Sequence, residues 1–195
     1  MFRTISTLLL SSLLAATAGA ADIPDVVIQY ADAFARTQSG DGLSRPEESL
    51  HGHALREAYA ASFFQGLTHP HGGVYTNSAL RQDAWTRGQA WWREHPLERA
   101  RIMAEYGYVV VEREGVWSRG FEKSVFTPRD ADREGWWMST LGGRAWSEVG
   151  LELGPGHAPA TRVRIVGYLS SKGRYGHIGG WEREVLVTSA ARVEP

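Results

Sequence analysis

Apolar residues recur at two different periods along this 195-residue chain, and the change from one to the other falls near Gly107. Before it the spacing is helical. Val26, Val27, Tyr30 and Phe34 predict a helix over 24–37, with Asp22 near its start and Gly40 beyond its end. Leu55, Tyr59 and Phe63 recur at every fourth position and predict a second helix over 54–65 with an aromatic face, stopped by Gly66. The polar stretch 38–46 between them reads as a loop, and Pro70, Gly72 and Gly73 prevent the second helix from continuing through 68–75. Asn77 or Ser78 is placed to cap a third helix reaching about Glu94, with Trp85, Gly88, Gln89 and Trp92 along one face. Gly88, between two tryptophans, is expected to admit the close approach of another element. Pro96 suits the first turn of a fourth helix over 97–106, and Gly107 suits its end.

Beyond Gly107 the period shortens to two. Five strands are predicted, at 108–117, 121–127, 136–141, 161–169 and 184–188, with a possible helical turn at 145–151 between the third and fourth. In the fourth, Val163, Ile165 and Leu169 share one face while Arg162, Arg164 and Tyr168 share the other. Adjacent Trp136 and Trp137 must point to opposite sides of their strand. The pattern predicts an α+β protein: a helical region over 21–106 packed on a small, five-stranded antiparallel β-barrel over 107–195. The strand order suits an OB-type barrel, with an SH3-like barrel or an open sheet as the alternatives.

The first twenty residues stand apart from both halves. Arg3, the apolar run from Leu8 to Ala16, and Ala18-Gly19-Ala20 form the pattern of a cleaved secretory signal peptide, with Ala21 as the expected mature start. The apolar run is too short for a bilayer core of about 30 Å, and no long apolar segment follows, so a soluble periplasmic or secreted product without membrane insertion is expected. Removal of these residues leaves a formal charge of −2, since Arg3 is the one charge among them. A nearly neutral exported chain does not carry the basic footprint of a nucleic-acid binder. The absence of cysteine excludes disulfides, a thiolate nucleophile and a thiolate metal site.

Two groups of residues carry candidate chemistry. The segment Ser170-Ser171-Lys172-Gly173-Arg174-Tyr175-Gly176-His177-Ile178-Gly179-Gly180-Trp181 joins the last two strands, where an OB-type barrel places one of its ligand loops. Tyr175, His177 and Trp181 offer rings with polar handles, Glu122 follows the turn that frames the opposite side of such a face, and Trp137 is a further ring within reach. The alternative is a long hairpin whose glycines serve tight bends and whose aromatics cap the barrel, with Glu122 in a surface ion pair. No helix follows the glycines, which argues against a phosphate loop. The second group is His51, His53, His69 and His71, two His-x-His pairs that in extended backbone could chelate zinc or copper.

These features point to an exported binding or interaction protein of the cell envelope with a glycan, peptide or protein partner and no cofactor. The alternatives are a periplasmic zinc- or copper-binding protein and, with least in the sequence to carry it, an envelope-polymer hydrolase using Glu122 or His177 as general base. No nucleophile elbow or zinc-protease motif is present.

Overall fold

A computed structural model of the chain describes residues 23–39, 50–69, 76, 78–120, 122–130, 134–152 and 160–194. The signal-peptide segment 1–20, the 40–46 part of the expected loop, and His71 lie outside them. Four helices come first: α1 (Asp25–Ser39), α2 (Leu50–Thr68), α3 (Ala79–Glu94) and α4 (Arg99–Glu105). Five strands follow: β1 (Val109–Gly120), β2 (Lys123–Pro128), β3 (Trp136–Thr140), β4 (Ala160–Leu169) and β5 (Glu184–Arg192). The architecture is the expected α+β one, with a closed barrel in the order β1-β2-β3-β5-β4 rather than an open sheet.

One part of the expectation is corrected. The barrel is not wholly antiparallel, because β3 runs parallel to β5, with Trp137 beside Glu184 and Thr140 beside Val187. The reason is parity: five strands cannot alternate direction all the way round a closed ring. Tracing paired residues around the barrel returns to β1 about ten residues from the start, the kind of stagger that closure demands.

The helical half is held by aromatic side chains at helical spacing. Tyr59 and Phe63 of α2 are fully buried and pack on Phe34 and Tyr30 of α1. Arg56 closes a bidentate pair on Asp32 at 2.8 and 2.7 Å, tying the same two helices. Ser78 caps α3, its hydroxyl accepting from the Arg81 amide. Where α2 crosses α3, Gly66 and Gly88 lie against each other's helix: a Cβ at Gly88 would meet the Phe63 carbonyl oxygen at 2.2 Å, and one at Gly66 the Trp85 oxygen at 2.2 Å.

The barrel has its own core of Val111, Trp117, Phe126, Trp136, Met138, Val163, Ile165, Val185 and Val187. Between β3 and β4, a 3-10 turn at Trp146–Val149 presents Trp146 to Trp117, with ring centres 4.2 Å apart, at the expected helical turn. The outward faces of β4 and β5 belong to the helical core instead, through Tyr168 and Leu186. Alternation along each strand thus gives the barrel two apolar sides, one turned inward and one covered by helices.

Candidate functional site

The β4–β5 connection is a hairpin that remains paired well past the strands. The Ser170 amide donates to the Glu184 carbonyl at 2.9 Å, the Gly173 amide to Glu182 at 2.8 Å, and Tyr175 and Trp181 exchange amide bonds at 2.8 and 3.2 Å. Its tip is a 3-10 turn at His177–Gly179. The hairpin lies against the outer wall of the barrel. Gly176 sits so close to the Trp137 ring that a Cβ there would approach it to 2.5 Å, and the Trp181 ring packs on Trp137 at 5.0 Å. Trp136, one residue earlier, points inward and packs on Phe126 at 5.7 Å. The two tryptophans therefore split as strand alternation requires, one for the core and one for the loop.

The turn joining β1 to β2 reaches the same place. Glu122 Oε2 lies 3.0 Å from His177 Nε2, with both side chains nearly half exposed. Glu122, Trp137, Tyr175, His177 and Trp181, drawn from three separate stretches of sequence, thus form one contiguous surface. The segment is a hairpin with tight glycine bends, and it also brings the ring residues and the carboxylate together. An exposed pair such as Glu122–His177 contributes roughly 0 to 1 kcal/mol, so it tethers the two turns only lightly.

Backbone strain marks the same spot. Among the described residues the non-glycine positions with positive φ are Glu122 and Ile178, both at 52°. A β-branched residue in the left-handed region is disfavoured by steric crowding of its Cβ, and Ile178 is also 81% exposed. The periodicity of apolar and polar positions does not single out Ile178. An isoleucine inside a glycine-rich turn, between His177 and Gly179, is the signal that marks it.

Beneath the hairpin lies a second feature that sequence patterning missed. Glu184, which opens β5 beside Trp137, is partly buried, and Tyr108 donates its hydroxyl to Glu184 Oε1 at 2.5 Å. Burial raises the Glu184 carboxyl above its ordinary value, and the Tyr108 hydrogen bond offsets part of that rise. Tyr108 is raised as well, by burial first and then by the charge of Glu184. Its ring packs on Phe64 of α2 at 5.3 Å, so the pair joins the helical half to the base of the loop.

The histidine pairs do not assemble as a metal shell from the described residues. Residues 51 and 53 lie in helical backbone of α2, where positions two apart diverge by about 200° around the axis. His53 stands near the start of α2 and His69 just past its end, separated by about 24 Å at 1.5 Å per residue. His53 faces Glu57 at 3.5 Å, while His69 uses Nδ1 against the Gln65 carbonyl and stacks on Trp85. Burial lowers the His69 pKa and favours its neutral form. Among the described residues no three histidines, aspartates or glutamates gather to hold an ion. No described helix is long and apolar enough to cross a membrane.

In comparisons with known proteins, no family model matches the chain, and neither a curated protein nor a solved structure shows significant similarity to it.

Proposed function

We propose that this chain is an exported binding or interaction protein of the cell envelope, and that it recognises its partner with the surface formed by Glu122, Trp137, Tyr175, His177 and Trp181. The observation that carries this reading is the convergence of those residues around a loop whose tip holds an exposed isoleucine in a strained conformation. Strain of this kind persists only where surrounding structure enforces it, and it concentrates at binding and switch segments. Rings with polar handles next to a carboxylate suit a glycan or peptide, which offers both apolar faces and hydrogen-bonding groups. Export follows from the pattern of the first twenty residues, and the small net charge agrees with an uncharged or mixed partner.

Titration of the mature protein with peptidoglycan fragments, neutral oligosaccharides and mixed-sequence peptides, followed by tryptophan fluorescence, tests the reading. A saturable change with one ligand class, weakened at least tenfold by Trp181→Ala and by His177→Ala, is the expected result. Saturable binding left unaltered by both substitutions would remove this surface from recognition.

A further inference from the structure

β1 is longer than its pairing with β2. Residues from Gly115 to Gly120 lie beside β2, whereas β4 accompanies β1 from Val109 to Ser118. Among the described residues the first half of β1 therefore has a strand on one side only. Alternation along an antiparallel ladder fixes which backbone groups face the free side. The Ser171 amide donates to the Gly107 carbonyl at 2.8 Å, while the Arg129 amide, from the other direction, donates to the Glu114 carbonyl at 2.9 Å. Odd-numbered residues of this stretch thus turn their amides and carbonyls to β4, and even-numbered ones turn away from it. The amide and carbonyl of Val110 and the amide of Glu112 have no backbone partner among the described residues. Arg113 Nη1 donates to the Glu112 carbonyl at 2.8 Å, which leaves that oxygen a second lone pair.

The side chains along this edge are not those that usually guard one. Edge strands are commonly protected by lysine, proline, a bulge or a covering element. Here Val109 and Val110 are 56% and 60% exposed. Across the ladder Val110 neighbours Tyr168, whose ring meets Trp92 of α3 edge-on, so an apolar shelf borders the free edge at that point. Glu112 follows, exposed, and Glu114 beyond it is taken by Arg164.

We propose that the first half of β1 accepts an extended peptide segment of a protein partner as an added strand, with an apolar residue beside Val110 and a basic residue beside Glu112. Outward backbone groups two residues apart repeat at about 7 Å, a spacing matched by another extended chain. A second copy of this protein would offer Glu112 no basic neighbour from its own edge, because the outward positions there are Val110, Glu112 and Glu114. This edge is separate from the Glu122–Trp181 surface and does not depend on that reading.

A fluorescein-labelled peptide repeating Val-Thr-Lys-Thr, which sets a valine and a lysine two positions apart on one face, is the probe, with the mature protein as target. Saturable binding is expected, with hydrogen exchange at the Val110 and Glu112 amides slowed at least tenfold. Methylating the alternate peptide nitrogens that face β1 should weaken binding at least tenfold. Val110→Pro removes an amide that faces away from β4, so the β1–β4 ladder survives and binding should drop at least tenfold at a nearly unchanged melting temperature. Val111→Pro, whose amide faces β4, should lower the melting temperature sharply. Absence of binding, or equal binding by the N-methylated peptide, overturns the proposal whether or not the proline variant folds. Protection of the same amides without peptide, together with a dimer in sedimentation, would assign the edge to a second copy and also overturn it.

Discussion

Gly88→Ala separates helix propensity from close packing, because the two push stability in opposite directions. In an exposed helix the change would stabilise by about 1 kcal/mol. In α3 the new methyl would lie 2.2 Å from the Phe63 carbonyl oxygen of α2, and backbone cannot rotate aside as a side chain can. The helices must separate by about 1 Å to restore an ordinary carbon–oxygen contact, loosening the packing around Phe63, Leu67, Trp91 and Trp92. Overpacking of this kind costs about 3 kcal/mol, so after the propensity gain the net loss should be about 2 kcal/mol. For a chain of this size that is a fall of roughly 4 to 8 °C in melting temperature, measured by circular dichroism at 222 nm. Gly66→Ala should cost a similar amount. The double variant should cost less than both changes added, since the first separation already makes room for the second methyl. A Gly88→Ala protein as stable as the parent, or more so, would refute the close approach of α2 and α3.

Two other perturbations test the loop and the barrel's junction with the helices. Ile178→Gly relieves a left-handed β-branched residue while removing a side chain that is 81% exposed, so urea unfolding should show a gain of about 1 kcal/mol; a loss would mean that the isoleucine makes stabilising contacts. Glu184→Gln keeps an oxygen for the Tyr108 hydroxyl and abolishes ionisation. Because burial raises the folded-state pKa of Glu184, the native state of the parent favours the protonated acid, and its stability should decline as pH rises through the interval between the unfolded and folded values. Melting temperatures of variant and parent should therefore agree most closely below the ordinary value of 4.5, with the variant gaining on the parent toward neutrality. A difference that is flat with pH would contradict a desolvated carboxyl.

Helices were legible wherever an apolar stripe was uninterrupted, as at Leu55, Tyr59 and Phe63. α2 nevertheless starts at Leu50, because His51-Gly52-His53 has no periodicity of its own and is drawn into a helix stabilised further along. Strand positions were also legible, and Ser189, Ala190, Ala191 and Arg192 were missed because β5 becomes weakly apolar after Thr188, although Ala190 faces the barrel core. The parallel β3–β5 closure was not legible, since register between strands nearly fifty residues apart is decided by packing rather than local pattern. At the candidate surface, residue types pointed to Tyr175, His177, Trp181, Glu122 and Trp137, but neither the Glu122–His177 contact nor the burial of Glu184 has a local signature. A glutamate at the head of a strand looks like a solvated charge until Tyr108, 76 residues earlier, is brought against it.

The most direct test of the recognition surface follows the indole N–H signals of the eight tryptophans by NMR during titration with peptidoglycan fragments, oligosaccharides and peptides. Shifts confined to Trp137 and Trp181 for one ligand class, accompanied by the His177 ring signals and abolished in Ile178→Gly or Glu122→Gln, are the predicted result. Saturable shifts centred on other tryptophans, with Trp137 and Trp181 unmoved, would contradict it.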